Sequence, residues 1–143
     1  MVTSYNPKMI GEKSEGMILA ALLRAGKVVL QPFGDNQRYD LVVDENGVFV
    51  RIQCKTARLL NDGTVLQFET RSTGYDGLHK RNYRGQIEFF GVYSPDLDKV
   101  YLVPVDAVGI GGAHLRLKPP ANRQKKGVRY ASEFEMTKMI IPG

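Results

Sequence analysis

The stretch from Gln37 to Thr56, QRYDLVVDENGVFVRIQCKT, leaves the chain least freedom, because it is two β-rich runs joined by Asp44-Glu45-Asn46-Gly47. Asn-Gly between such runs is a hairpin signal, since the central positions of a tight hairpin turn need positive φ. Side chains alternate across a strand, so Val48, Val50, Ile52 and Cys54 share an apolar face, and Phe49, Arg51, Gln53 and Lys55 share the other. A hairpin brings the start of its first strand back beside the end of its second. Asp40 is therefore expected near Gln53 and Lys55, placing a carboxylate, an amide and an ammonium together. An ordinary half-exposed hairpin has a similar polar face, but the apolar run opposite argues for a strand packed into a core.

At 143 residues the chain fits a single domain, 1–143, with a sizeable core. Upstream, the pattern predicts a helix from about Gly11 to Ala25. Met17 or Ile18, Ala21, Leu22 and Ala25 recur at helical steps, and Gly26 stands where a C-cap favours glycine. Glu12 and Glu15 fall in its first turns, where they complement the helix dipole. Glu15 also borders the apolar stripe, and a carboxylate aimed inward needs a partner. Lys27–Gln31 reads as a short strand and Pro32-Phe33-Gly34-Asp35-Asn36 as a turn into the hairpin. Thr64–Thr70 is a further strand. Ile87–Tyr93 and Lys99–Val105 form a closely linked antiparallel pair, apolar enough for burial on both faces. A short helical turn is expected at Asp106–Val108 and a weak strand at His114–Leu117. Helix followed by strands makes this an α/β sandwich on a mixed sheet.

No apolar run reaches the ~18 residues that a membrane span requires. The first residues lack the pattern of a signal peptide, so an intracellular, cytoplasmic protein is expected. One cysteine excludes a disulfide framework and a cysteine-based zinc cluster. Cys54, on the apolar face of its strand, reads as core rather than nucleophile.

Glu15, Asp40, Gln53 and Lys55, in this order, resemble the core of the PD-(D/E)XK nuclease superfamily: a helix acid, an aspartate at a strand start, and a (D/E)-x-K pair at a neighbouring strand end. Gln53 departs from the pattern, because an amide oxygen can ligate a metal yet carries no charge and cannot act as a base. The Gln-x-Lys variant, with GEKSE at 11–15, PFGDN at 32–36, RYD at 38–40, QCKT at 53–56 and VYLVPV at 100–105, is similar to small endonucleases associated with bacterial group I introns. The resemblance spans about Gly11 to Val105 and weakens beyond.

It implies a PD-(D/E)XK, restriction-endonuclease-like fold, with a mixed β-sheet flanked by helices. It also implies a homing endonuclease that cuts specific double-stranded DNA with Mg²⁺, Mn²⁺ being a possible substitute. A homo-oligomer, dimer or tetramer, is implied because one chain holds one site and a double-strand break needs two. Glu15 and Asp40 would be metal ligands, with the Cys54 carbonyl a third, and Lys55 would act on the attacking water. Glu12 is the alternative helix acid. A Holliday-junction resolvase shares the core and is a rival reading; a non-catalytic DNA-binding protein is another.

The formal charge of +5 suits a polyanionic partner, and basic residues crowd into two segments, Arg71–Arg84 and Arg116–Arg129. DNA-binding loops are expected at about 71–86 and 116–129. Lysine and arginine neutralise phosphates, whereas forked or planar donors read base edges. Arg71, His79, Lys80, Arg81, Tyr83 and Arg84 in the first loop, with Asn82 and Gln86 beside them, mix both kinds. Arg123, Lys125, Lys126 and Arg129, with Gln124, do so in the second.

Overall fold

The computed structural model describes residues 6–73 and 80–136. Helix α1 (Pro7–Arg24) starts a turn before the expected Gly11. Asn6 caps it by accepting the Met9 N–H at 3.3 Å, and Pro7 occupies the first turn, where a missing N–H costs nothing. No acidic residue then lies in the first turn, so Glu12 and Glu15 are not dipole partners. Gly26 ends the helix at φ 78°, as expected of a glycine just past a C-cap. Ser14, Ile18, Leu22 and Ala25 form the buried stripe.

Among the described residues ten strands follow: β1 (Val28–Leu30), β2 (Leu41–Glu45), β3 (Val48–Thr56), β4 (Arg58–Leu60), β5 (Val65–Phe68), β6 (Arg71–Thr73), β7 (Lys80–Asn82), β8 (Phe89–Ser94), β9 (Lys99–Pro104) and β10 (Ala113–Arg116). Single 3-10 turns occupy Val105–Ala107 and Ala131–Glu133. The main sheet has the order β1-β2-β3-β8-β9 and is mixed, with β3 and β8 parallel and the other pairs antiparallel. The hairpin of β2 and β3 turns at Asn46 (φ 55°) and Gly47 (φ 91°), and the Gly47 N–H donates to Asp44 Oδ1 at 2.7 Å. Glycine and asparagine tolerate this left-handed backbone, which is why the turn was legible.

Both faces of the sheet are covered, which explains the continuous apolar runs in β8 and β9. Helix α1 covers one face, burying Ile18 and Leu22 with Leu41, Val43, Ile52, Tyr93 and Val100. The mixed sheet of the PD-(D/E)XK fold that the resemblance implied is present, flanked by α1, the one α-helix among the described residues, while a three-stranded sheet, β10-β5-β4, covers the other face. There Leu66, Phe68 and Leu115 meet Phe90, Val92 and Val103. Helix and sheet approach closely at Gly91, where a Cβ would stand 2.9 Å from Ile18 Cγ2 and 3.0 Å from Ile52 Cγ2.

Two further expectations need correction. The apolar face of β3 is not buried throughout: Val48 is 66% exposed, and burial is complete only at Ile52. β8 pairs only with Ile52–Thr56, and the Val48 end of the strand pairs with β2 alone. The segment after Thr70, read as an aperiodic loop, contains an antiparallel ribbon, with Arg71 opposite Asn82 and Thr73 opposite Lys80. Its strands are too short and polar to show a period. No helix among the described residues is long and apolar enough to cross a membrane.

Candidate active site

Asp40 stands just before β2 and is fixed by backbone groups of β3. Its N–H donates to the Ile52 carbonyl at 2.8 Å, and its Oδ2 accepts the Cys54 N–H at 2.9 Å. It therefore brackets Gln53, the residue between them. Glu15 arrives from α1, whose docking is set one residue earlier: the buried Ser14 hydroxyl pairs with Thr56 Oγ1 at 2.5 Å, next to Lys55. Glu15 and Asp40 line one cleft of about 310 Å³, with Asp35 and Tyr39 on its walls. Glu12, the alternative acid, is exposed on the helix.

The electrostatics of the cleft are those of a site short of positive charge. Burial, then the charges of Asp40 and Glu12, hold Glu15 above its ordinary carboxylate value. Burial also raises Asp40, and it outweighs the Cys54 N–H and the Lys55 charge, which pull the other way. Burial, then Asp40 and Glu15, push the Cys54 thiol far upward. It stays protonated, and the expectation that Cys54 is packing rather than nucleophile fits this environment.

Lys55 is held from the ribbon side. Its Nζ donates to the Arg71 carbonyl and to the Tyr83 hydroxyl, both at 3.4 Å, and sits 4.9 Å from the Tyr83 ring centroid. Tyr83 itself is not the surface reader expected from the sequence. It is 4% exposed, in edge-to-face contact with Phe90 at 5.7 Å, and belongs to the core between the sheets. An aromatic residue within a basic run reads the same whether it stacks on bases or on a core.

The remaining basic candidates are distributed unevenly. Arg71 is partly buried, and its Nε meets Glu69 at 3.4 Å. Arg81 is exposed on the ribbon; Arg84 is exposed, with its Nη2 on the Val108 carbonyl at 3.0 Å. Lys80 opens β7. His79 lies outside the described residues. Arg123, Lys125, Lys126 and Arg129 are exposed, far along the chain from the cleft residues.

Two residues to which the sequence assigned no role are built into the surroundings. Arg38 donates to Gln86 Oε1 (2.5 Å), Ser72 Oγ and the Asn82 carbonyl (2.7 Å), and lies 4.0 Å over the Tyr83 ring. Glu88 at the head of β8 takes Arg51 Nη2 at 2.5 Å and the Arg51 N–H at 2.8 Å, locking the parallel β3–β8 register. Their signal was position alone, an arginine two residues before the strand-start aspartate and an acid opening an apolar strand.

A helix acid and a strand-start acid converging beside a lysine on the central strand of a mixed sheet define a nuclease of the restriction-endonuclease-like class. The chain belongs to the PD-(D/E)XK endonuclease family, whose model matches residues 5–137. Its fold is similar to that of a bacterial homing endonuclease, I-Ssp6803I, with 24% identity, a TM-score of 0.72, and coverage of 94% of this chain and 91% of that one. A second solved structure, the Holliday junction resolvase Hjc of Archaeoglobus fulgidus, matches at 18% identity and a TM-score of 0.47, over 74% of this chain and 83% of that one. No curated protein matches the sequence.

Proposed function

We propose that this nuclease is a Mg²⁺-dependent endonuclease that cuts specific sites in double-stranded DNA, a homing endonuclease like the bacterial protein its fold resembles. The observation that carries the reading is the pairing of Glu15 and Asp40 in one cleft, both held above their ordinary carboxylate values, beside a ribbon rich in arginine. Among the described residues no three His, Cys, Asp or Glu side chains form a complete metal site. The donor set still fits Mg²⁺, which takes one or two carboxylates and fills its remaining positions with water and phosphate. Glu15, Asp40 and the Cys54 carbonyl would hold it, with Mn²⁺ an acceptable substitute. When bound, the ion supplies Lewis acidity toward a phosphodiester.

The chain's own groups do the rest. The Lys55 ammonium offsets charge on the phosphate or orients the attacking water. Gln53 contributes an amide that positions without deprotonating anything. Arginines and lysines of the two segments neutralise DNA phosphates. Since one chain brings one such site, a double-strand break calls for a homo-oligomer, a dimer or tetramer, and the action is intracellular, on nucleoid DNA.

The test is Asp40→Asn. Cleavage of a randomised duplex library and of a four-way junction in Mg²⁺ should disappear, while duplex binding stays within a few-fold. An acid whose folded value is raised costs stability once pH rises past its unfolded value, and the full cost is present above the folded value. Asp40→Asn should therefore raise Tm near pH 7, with the gain fading as pH falls through the ordinary carboxylate range. Mg²⁺ should raise the Tm of the unmodified protein more than that of the variant. Undiminished cleavage by Asp40→Asn would falsify the assignment.

A further inference from the structure

The ribbon of β6 and β7 is joined to the cleft by more than a grip on DNA needs. Each nitrogen of the Arg38 guanidinium is engaged, two by the ribbon and one just beyond it: Nη1 on Ser72, Nη2 on the carbonyls of Asn82 (2.7 Å) and Arg81 (3.4 Å), and Nε on Gln86, four residues past β7. The backbone of Arg38 leads directly into Tyr39 and Asp40. Its guanidinium also lies on the ring of Tyr83, the residue whose hydroxyl meets Lys55. The other partner of Lys55 is the Arg71 carbonyl, on the facing strand at the same root end of the ribbon, where Arg71 pairs with Asn82. Both strands at the root of the ribbon thus define where the ammonium stands, and Arg38 fixes the ribbon relative to the strand start that carries Asp40.

We infer that Arg38 is a positioning residue that couples seating of the ribbon on DNA to the placement of Lys55, so that correct docking is read out in the cleavage rate and not only in affinity. The inference rests on the nuclease reading and on Lys55 as the working ammonium. A planar fork bonded on all sides and stacked on a buried ring transmits displacement. A lysine in its place keeps the charge but has neither the fork nor the stack. Misplacing a catalytic group by about 1 Å costs up to roughly 100-fold in rate. DNA that engages the ribbon imperfectly is then bound yet cut slowly. Discrimination between sites appears in kcat.

The experiment uses the full chain and a duplex recovered from the randomised library, or the junction if that is what the protein cuts. Arg38→Lys, Tyr83→Phe and Lys55→Ala are compared by binding titration and by single-turnover cleavage at saturating protein. Arg38→Lys should leave Kd within about threefold and lower the saturated rate about 10- to 100-fold. Tyr83→Phe keeps the ring beneath Arg38 and removes one of the two Lys55 acceptors, so its loss should be smaller and again confined to the rate. A merely structural role for Arg38 would instead raise Kd or lower Tm in step with the rate. That result, or a normal saturated rate in both Arg38→Lys and Tyr83→Phe, overturns the coupling while an inactive Lys55→Ala keeps the nuclease reading intact. Should Arg38→Lys not fold, Tyr83→Phe decides alone. Near-normal cleavage by Lys55→Ala removes the reading and the coupling together.

Discussion

The two basic segments have similar composition and opposite connectivity. The first, from Arg71 to Gln86, is wired inward: Arg38 clasps it, Lys55 leans on the Arg71 carbonyl, Arg84 reaches Val108, and Tyr83 is sunk between the sheets. The second turns on itself. Residues 121–127 are exposed throughout, the Gln124 N–H bonds Asn122 Oδ1, and Gln124 Nε2 bonds the Lys126 carbonyl, both at 3.0 Å. Its ties to the body lie at its two ends, the Leu117 N–H on the Thr64 carbonyl and Arg129 Nε on the Ala107 carbonyl, and the Arg116 N–H closes the segment on the Arg129 carbonyl. Charge alone equates the two segments. Their hydrogen bonds separate them, and on the proposed reading the first joins DNA contact to chemistry while the second adds hold.

The largest effect that bears on this contrast belongs to Tyr83→Ala. Removing a buried aromatic side chain costs about 3 to 5 kcal/mol, and the same change should abolish cleavage. Single alanine substitutions between 121 and 127 should stay within about 0.5 kcal/mol. Denaturant melts decide this, and a stable Tyr83→Ala would show that the first segment is not rooted in the core.

A second comparison sets Arg81→Ala against the double variant Lys125→Ala, Lys126→Ala. The double variant should weaken all duplexes alike and flatten the log–log salt slope by roughly 0.9 for each phosphate left without its lysine, with the saturated rate unchanged. Arg81→Ala should cost about 1 to 3 kcal/mol on the preferred site and relax preference at individual base pairs. A slower saturated rate in the lysine variant would break the division of labour.

The smallest effect is expected at Arg123, which holds φ 58° in the exposed second segment. Arg123→Gly relieves a left-handed backbone and should gain about 0.5 kcal/mol while giving up a little DNA affinity. A thermal melt showing destabilisation would mean that this loop is braced more firmly than its hydrogen bonds indicate.

What could be read from the sequence follows the range of the physics. The hairpin was legible because positive φ and side-chain alternation are properties of adjacent residues, and it placed Asp40 beside the Cys54 and Lys55 strand. The pair of apolar strands was legible for the same reason. The helix start was written in Asn6-Pro7, but the apolar period that marks a helix begins later and drew the boundary inward. Arg38 was opaque, because its partners Ser72 and Gln86 lie 34 and 48 residues away. Tyr83 misled because burial is decided by Phe90 and the second sheet, not by its basic neighbours.

At Gly91 the helix rests almost directly on the sheet backbone. One of the cleft acids rides on that helix and the other is pinned to that sheet, so the thickness of the layer between them is the spacer of the pair. A missing methyl group beneath Ile18 thereby acts as a gauge block: it helps set the spacing of Glu15 and Asp40 that an incoming cation would meet. On the proposed reading, the fit of the cleft to a metal ion would be machined into the hydrophobic interior, at a residue with no functional group at all.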